Sequence, residues 1–243
     1  TDGAEAAGAR LRKLEDLQGP HRVRVDYLTD FVLAVTGQAY AAFLKSGEQL
    51  NKLTTDDPFY PLMTLLAAEA AIASGNDKVA LSLLEKKGVV WTETLQKIQL
   101  MRRGDANCGQ KKYPEALLEY QKLQNSAVLF DSYPRSRGRA AQAAFAVGDY
   151  RLAARFYKDL GRQLAESPLE NLAYFAAAAA NYNDGETEWA QIGLQKIYLE
   201  MPGTEGADRA ALRMQDHQVL IGSERQQAEA AYKYEFYAKH SRI

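Results

Sequence analysis

Four alanines, Ala80, Ala116, Ala153 and Ala190, stand 36, 37 and 37 residues apart, and the residues around them repeat in kind. Five positions before each come Gly75, Lys111, Gly148 and Gly185, and three before come Asp77, Tyr113, Tyr150 and Thr187. Four after come Leu84, Tyr120, Tyr157 and Leu194; seven after come Lys87, Leu123, Leu160 and Ile197; twelve before come Ala68, Gly104, Ala141 and Ala178. Self-similarity at this period marks a supersecondary unit that cannot bury its apolar face alone and stacks on copies of itself. Small residues such as Ala141 and Ala153 suit the close crossing of two antiparallel helices, with larger side chains filling the space on either side. Gly148 and Asp149 supply the turn between them, because glycine accepts the left-handed conformation that ends the first helix. Each period therefore reads as a helix pair.

The remaining chain agrees with helix throughout. The runs LLAAEAAIA and LAYFAAAAANY are rich in alanine and poor in β-branched residues, and no segment alternates as a strand does. SPLE at 167–170 reads as a capping box, with Pro168 at the first helical position and Glu170 reaching back to the cap. Residues 24–54 look helical with a turn at Gly37, and 205–221 with 224–239 look like a closing pair around Gly222. The resulting division is an atypical or capping N-terminal segment at 1–61, four helix pairs over 62–202, and a capping pair at 203–243. Outer units of a stack depart from the pattern because one of their faces meets water.

The spacing G-D-Y, then Ala, Tyr and Leu, at 148–160 resembles the tetratricopeptide repeat family. The resemblance implies an all-α, right-handed superhelical solenoid of antiparallel helix pairs, about eleven to thirteen helices in all. Two departures stand out. The large aromatic expected early in the first helix occurs only as Tyr174, and the period exceeds the family's usual length of about 34 residues. The stretches FDSYPRSRGRAAQAAFAVGDYRLAARFY and YLEMPGTEGADRAALRMQ resemble the family's bacterial cell-envelope branch, which includes the periplasmic Tol-Pal coordinator and the outer-membrane assembly lipoprotein. That implies a periplasmic or envelope location, with the cytoplasm as the alternative.

In this family the first helix of each pair lines the concave face. Carried onto this sequence, the lining comprises Leu65, Glu69 and Ile72, then Met101 and Asp105, then Gln142 and Phe145, then Phe175 and Tyr182. This mixed apolar and aromatic surface suits an amphipathic helix or an extended peptide. The lysine and asparagine set with which some members clamp a terminal carboxylate is absent.

Charge and cysteine content narrow the function further. Thirty basic and 31 acidic residues leave a net charge of −1, so no global field draws the 243-residue chain to nucleic acid or an anionic membrane. The single cysteine, Cys108, excludes an internal disulfide and a thiolate metal cage, and fits either redox compartment. No run reaches the roughly 20 apolar residues that span a bilayer. The first ten residues, TDGAEAAGAR, lack the basic start and apolar run of a signal peptide; the expectation is that a signal peptide, if one existed, has been removed, or that the chain is a piece of a larger protein.

Few residues invite chemistry. His21, His217 and His240 are scattered, with no carboxylate or cysteine at metal-ligand spacing, and read as surface or capping residues. Cys108 has no sequence-near base and reads as a structural thiol. There is no phosphate loop, GxSxG or HExxH. In PRSRGR, Arg135, Arg137 and Arg139 crowd a helix start, where the macrodipole disfavours cations. Arg135 and Arg139 share one face and Arg137 points elsewhere; two readings stand, solvated arginines with acidic partners or a local contact to an anion or acidic peptide.

The sequence thus points to a non-enzymatic protein-interaction scaffold that needs no cofactor or metal and holds a partner's helix or peptide in its groove. Arg135 and Arg139 would stand at the edge of that site. A self-associating structural module, including a homodimer, and a sensor with a small ligand in the groove are the alternatives.

Overall fold

The computed structural model describes residues 19–37, 39–45, 50, 52–123 and 127–221, with side chains at 45, 127, 128 and 217–221 left aside. Twelve helices and no strand occur among the described residues. They are α1 (Gly19–Thr36), α2 (Tyr40–Lys45), α3 (Tyr60–Ala73), α4 (Asp77–Leu84), α5 (Glu93–Gly109), α6 (Tyr113–Gln121), α7 (Ala127–Ser132), α8 (Pro134–Ala146), α9 (Tyr150–Gln163), α10 (Glu170–Asn183), α11 (Thr187–Glu200) and α12 (Glu205–Ile221). Their packing falls into two compact units, Thr1–Ser126 and Ala127–Ile243. The boundary lies inside the 62–202 span, between its second and third helix pairs.

The repeat register is written in the backbone. Gly75, Lys111, Gly148 and Gly185 all have positive φ, at 76°, 60°, 85° and 84°. One residue later, the N–H groups of Asn76, Lys112, Asp149 and Glu186 donate to the carbonyls of Ala71, Asn107, Ala144 and Asn181 at 2.8, 2.9, 2.9 and 2.9 Å. This is the Schellman end of a helix, in which a left-handed residue turns the chain and satisfies carbonyls that the last turn leaves open. The same helix stop recurs four times, at the spacing of the alanines. Ala80, Ala116, Ala153 and Ala190 themselves are buried in the second helix of each pair, and Ala68, Gly104, Ala141 and Ala178 are buried in the first.

In the first unit, α3 packs against α1, α2, α4 and α5. Tyr27 of α1 meets Phe43 of α2 edge-on, with ring centroids 4.9 Å apart, and its phenol donates to the carbonyl of Met63 at 3.0 Å. The turn expected at Gly37 is present, closed by its N–H donating to Leu33 O at 2.9 Å.

In the second unit, α8 to α12 pack each on the next, and α10 also packs on α12. Two glycines permit close approach. A Cβ at Gly161 would lie 2.8 Å from the Tyr174 ring, and one at Gly206 would lie 2.5 Å from Asn171 Oδ1, which accepts the Gly206 N–H at 2.9 Å. The capping box differs from expectation. Helix α10 begins at Glu170, not at Pro168, and the Glu170 carboxylate accepts from Glu166 N–H at 2.9 Å, while Ser167 Oγ accepts from Leu169 N–H at 3.3 Å. The left-handed Glu166 turns its own N–H toward Glu170, so the cap forms one residue early. The expected helix at 224–239 and its turn at Gly222 lie outside the described residues.

Candidate functional site

The first unit places most of its expected lining in the interior. Leu65 and Ile72 belong to a core cluster with Ala68, Ala71, Ala80, Leu84 and Ala106, and Met101 is fully buried. The reason is that α3 has neighbours on nearly every side, so no whole face remains for a ligand. Asp105 is buried too. Its carboxylate accepts from the Tyr120 phenol and from Arg102 Nη1, both at 2.8 Å, and Arg102 Nε reaches Glu69 at 2.5 Å. A buried carboxylate needs such partners, because burial without them is costly. Of this unit's expected lining only Glu69 keeps appreciable exposure. Arg102 and Tyr120, which complete the network, escape a reading by helix face because they come from the neighbouring position and from the next helix.

The second unit keeps more of the expected surface. Arg135, Arg139 and Gln142 follow steps of four and three along α8 and so share a face; Arg135 and Gln142 are exposed and Arg139 is half-buried. Phe145 is half-buried, its ring edge-on to Tyr150 at 5.2 Å. On α10, Phe175 leans on the cluster of Ala178, Leu194, Ile197, Ala207 and Ala210, and the exposed Tyr182 lies under the Arg213 guanidinium at 5.3 Å. Each aromatic thus has its own local partner. Arg137, on a separate helix face, is buried rather than solvated: its Nη2 contacts Asp131 at 2.6 Å and its Nη1 donates to Asp159 O at 3.3 Å. That acidic partner offsets the cation's place near the helix start.

A second surface of this unit escaped the reading of the lining. Tyr174, Ala177, Ala178 and Asn181 of α10 floor a cavity of about 210 Å³ whose walls are Trp189, Ile192 and Lys196 of α11 and Lys158 of α9. Trp189 is 63% exposed and Ile192 55%. The signal was present in α11, which carries two apolar stripes: Ala190, Leu194 and Ile197 are buried, while Trp189, Ile192 and Leu199 project on another side.

Other candidate centres are modest. Cys108 is buried, and His21 is exposed with its Nδ1 3.5 Å from Arg24 Nη1. His240 and the His217 side chain lie outside the described residues. Among the described residues no group of three or more His, Cys, Asp or Glu could hold a metal ion, and no helix is long and apolar enough to cross a membrane. No family model, curated protein or solved structure matches the chain.

Proposed function

We propose that this chain is a non-enzymatic protein-interaction scaffold of the tetratricopeptide class, which holds a helix or extended peptide of a partner. The observation that supports this reading most is the fourfold Schellman turn at the alanine spacing, since it makes each period a helix pair. Stacked pairs present successive first helices side by side, and such surfaces are suited to binding extended ligands. In the second unit, Arg135 and Gln142 on α8 and Tyr182 on α10 stay exposed, and Arg139, Phe145 and Phe175 beside them are half-buried, so that together they form the accessible part of the expected site. We further assign the protein to a bacterial envelope assembly, in keeping with its resemblance to that branch; an export signal encoded upstream would support this, and its absence from the full gene would count against it.

The test is affinity capture from a native lysate, with captured proteins identified and the complex rebuilt from purified components. Phe145→Ala with Tyr182→Ala should lose the partner, and Arg135→Glu with Arg139→Glu should weaken it and alter its salt dependence. Anchors of this kind contribute about 2 kcal/mol or more each. A rebuilt complex of undiminished affinity in both double variants overturns the assignment to this face.

A further inference from the structure

We propose that the groove between α9 and α11 is a second docking site, which takes an acidic amphipathic helix of a partner protein with one apolar anchor seated in the cavity. Helix α11 already buries one apolar face in the core of the second unit. Its other stripe, Trp189, Ile192 and Leu199, spans eleven residues and so about 15 Å, roughly three helical turns. Exposed apolar side chains on one helix face, here interrupted by Lys196, mark an interaction surface, and tryptophan is among the strongest interface anchors. The cavity beside it, at about 210 Å³, falls below the 300 Å³ or more typical of small-molecule sites and suits a single large side chain.

Charge selects the occupant. The exposed side of α9 carries Arg151, Arg155, Lys158 and Arg162 at helical steps of four, three and four. Arg151 lies 3.4 Å from Asp184 and Arg162 lies 3.1 Å from Asp159. Arg155 and Lys158 make no ion pair among the described residues, and Lys158 forms the cavity wall. On the opposite wall Lys196 lies 3.7 Å from Glu200 of its own helix. A largely apolar floor with Lys158 on one side and Lys196 on the other complements a helix with an apolar stripe flanked by carboxylates. The concavity favours a helix over a flat anionic bilayer. This site uses none of the residues of the α8 and α10 face, so the two assignments stand or fall separately.

The chain has two tryptophans, so Trp91→Phe leaves Trp189 as the sole indole reporter. The probe is a synthetic helical peptide with Leu and Phe at steps of three and four and Glu on both flanks; the control carries Lys in place of every Glu. The Glu peptide should shift Trp189 emission to the blue in a saturable manner, with the Lys peptide at least about tenfold weaker. Ile192→Asp should abolish the shift, and Arg155→Glu with Lys158→Glu should reverse the preference between the peptides. All three sites are exposed, and an unchanged helical circular dichroism spectrum verifies the fold. No saturable shift, equal affinity for both peptides, or a response indifferent to Ile192→Asp overturns the proposal. A shift given by phosphatidylglycerol vesicles but not by the Glu peptide overturns it in favour of a membrane surface, and one that follows protein concentration alone overturns it in favour of a second copy of the chain.

Discussion

The ring of Tyr120 lies directly over Gly104, so that a Cβ added to the glycine would stand 2.6 Å from its Cε1. The phenol is held in place by its 2.8 Å hydrogen bond to Asp105, so the ring cannot swing aside without leaving a buried carboxylate short of a donor. Alanine ordinarily stabilises a helix interior by about 1 kcal/mol over glycine. Here the clash should win: Gly104→Ala should cost about 1–3 kcal/mol by urea unfolding. Adding Tyr120→Leu should make the pair cost less than the sum of the two single changes, since removing the ring removes the clash.

The buried alanines give a second measurement. Ala141 and Ala153 are fully buried on the packed helices α8 and α9, whereas Lys158 is exposed. Either Ala141→Leu or Ala153→Leu should destabilise by about 1–3 kcal/mol through overpacking, and Lys158→Ala should stay within about 0.5 kcal/mol. Equal urea midpoints for all three would show that the crossing lies elsewhere.

Lys111 holds a left-handed conformation that glycine occupies at the three equivalent positions. A side chain pays about 1–2 kcal/mol there, partly offset by the extra freedom glycine has when unfolded. Lys111→Gly should therefore raise stability by about 0.5–1 kcal/mol, and Gly148→Val should lower it, as read from thermal or urea midpoints.

The Asp57 carboxylate makes stability depend on pH. Burial pushes its pKa up, but the Arg24 guanidinium at 2.6 Å and the Phe59 N–H at 2.9 Å outweigh burial, and with the charges of Arg24 and His21 they hold it below its ordinary value. A depressed folded pKa contributes stability that is present above the unfolded pKa and lost as pH falls through the folded one. The stability difference between the native chain and Asp57→Asn should thus be constant above about pH 5 and shrink below about pH 4. A difference that does not change on acidification would mean that Arg24 does not hold the carboxylate in solution.

Much of the local architecture could be read from the sequence because it depends on local rules. A left-handed residue ends a helix wherever it falls, and the spacing of Gly75, Lys111, Gly148 and Gly185 fixed four such stops. The alanines followed, since a residue twelve before and the reference itself must both be small for two helices to cross closely. The failure at SPLE has the same local origin: two carboxylate-to-amide caps differ by one residue, and the left-handed Glu166 selected the earlier donor.

Helical periodicity fixes which residues share a face, but not which face its neighbours cover. Leu65, Ile72, Met101 and Asp105 lie on the face the repeat assigns to ligands, yet α3 is packed on so many sides that the first two are core, and the Tyr120 phenol draws Asp105 inside. On α11 the reverse happened: Ala190, Leu194 and Ile197 are buried, while Trp189 and Ile192, apolar as they are, stay exposed. The sequence alone determined the helices, their stops and the small residues at their crossings, because those follow from backbone conformation and side-chain size within one period. Burial was decided by the tertiary structure, because exposure of a helix face depends on how many distant segments pack against it.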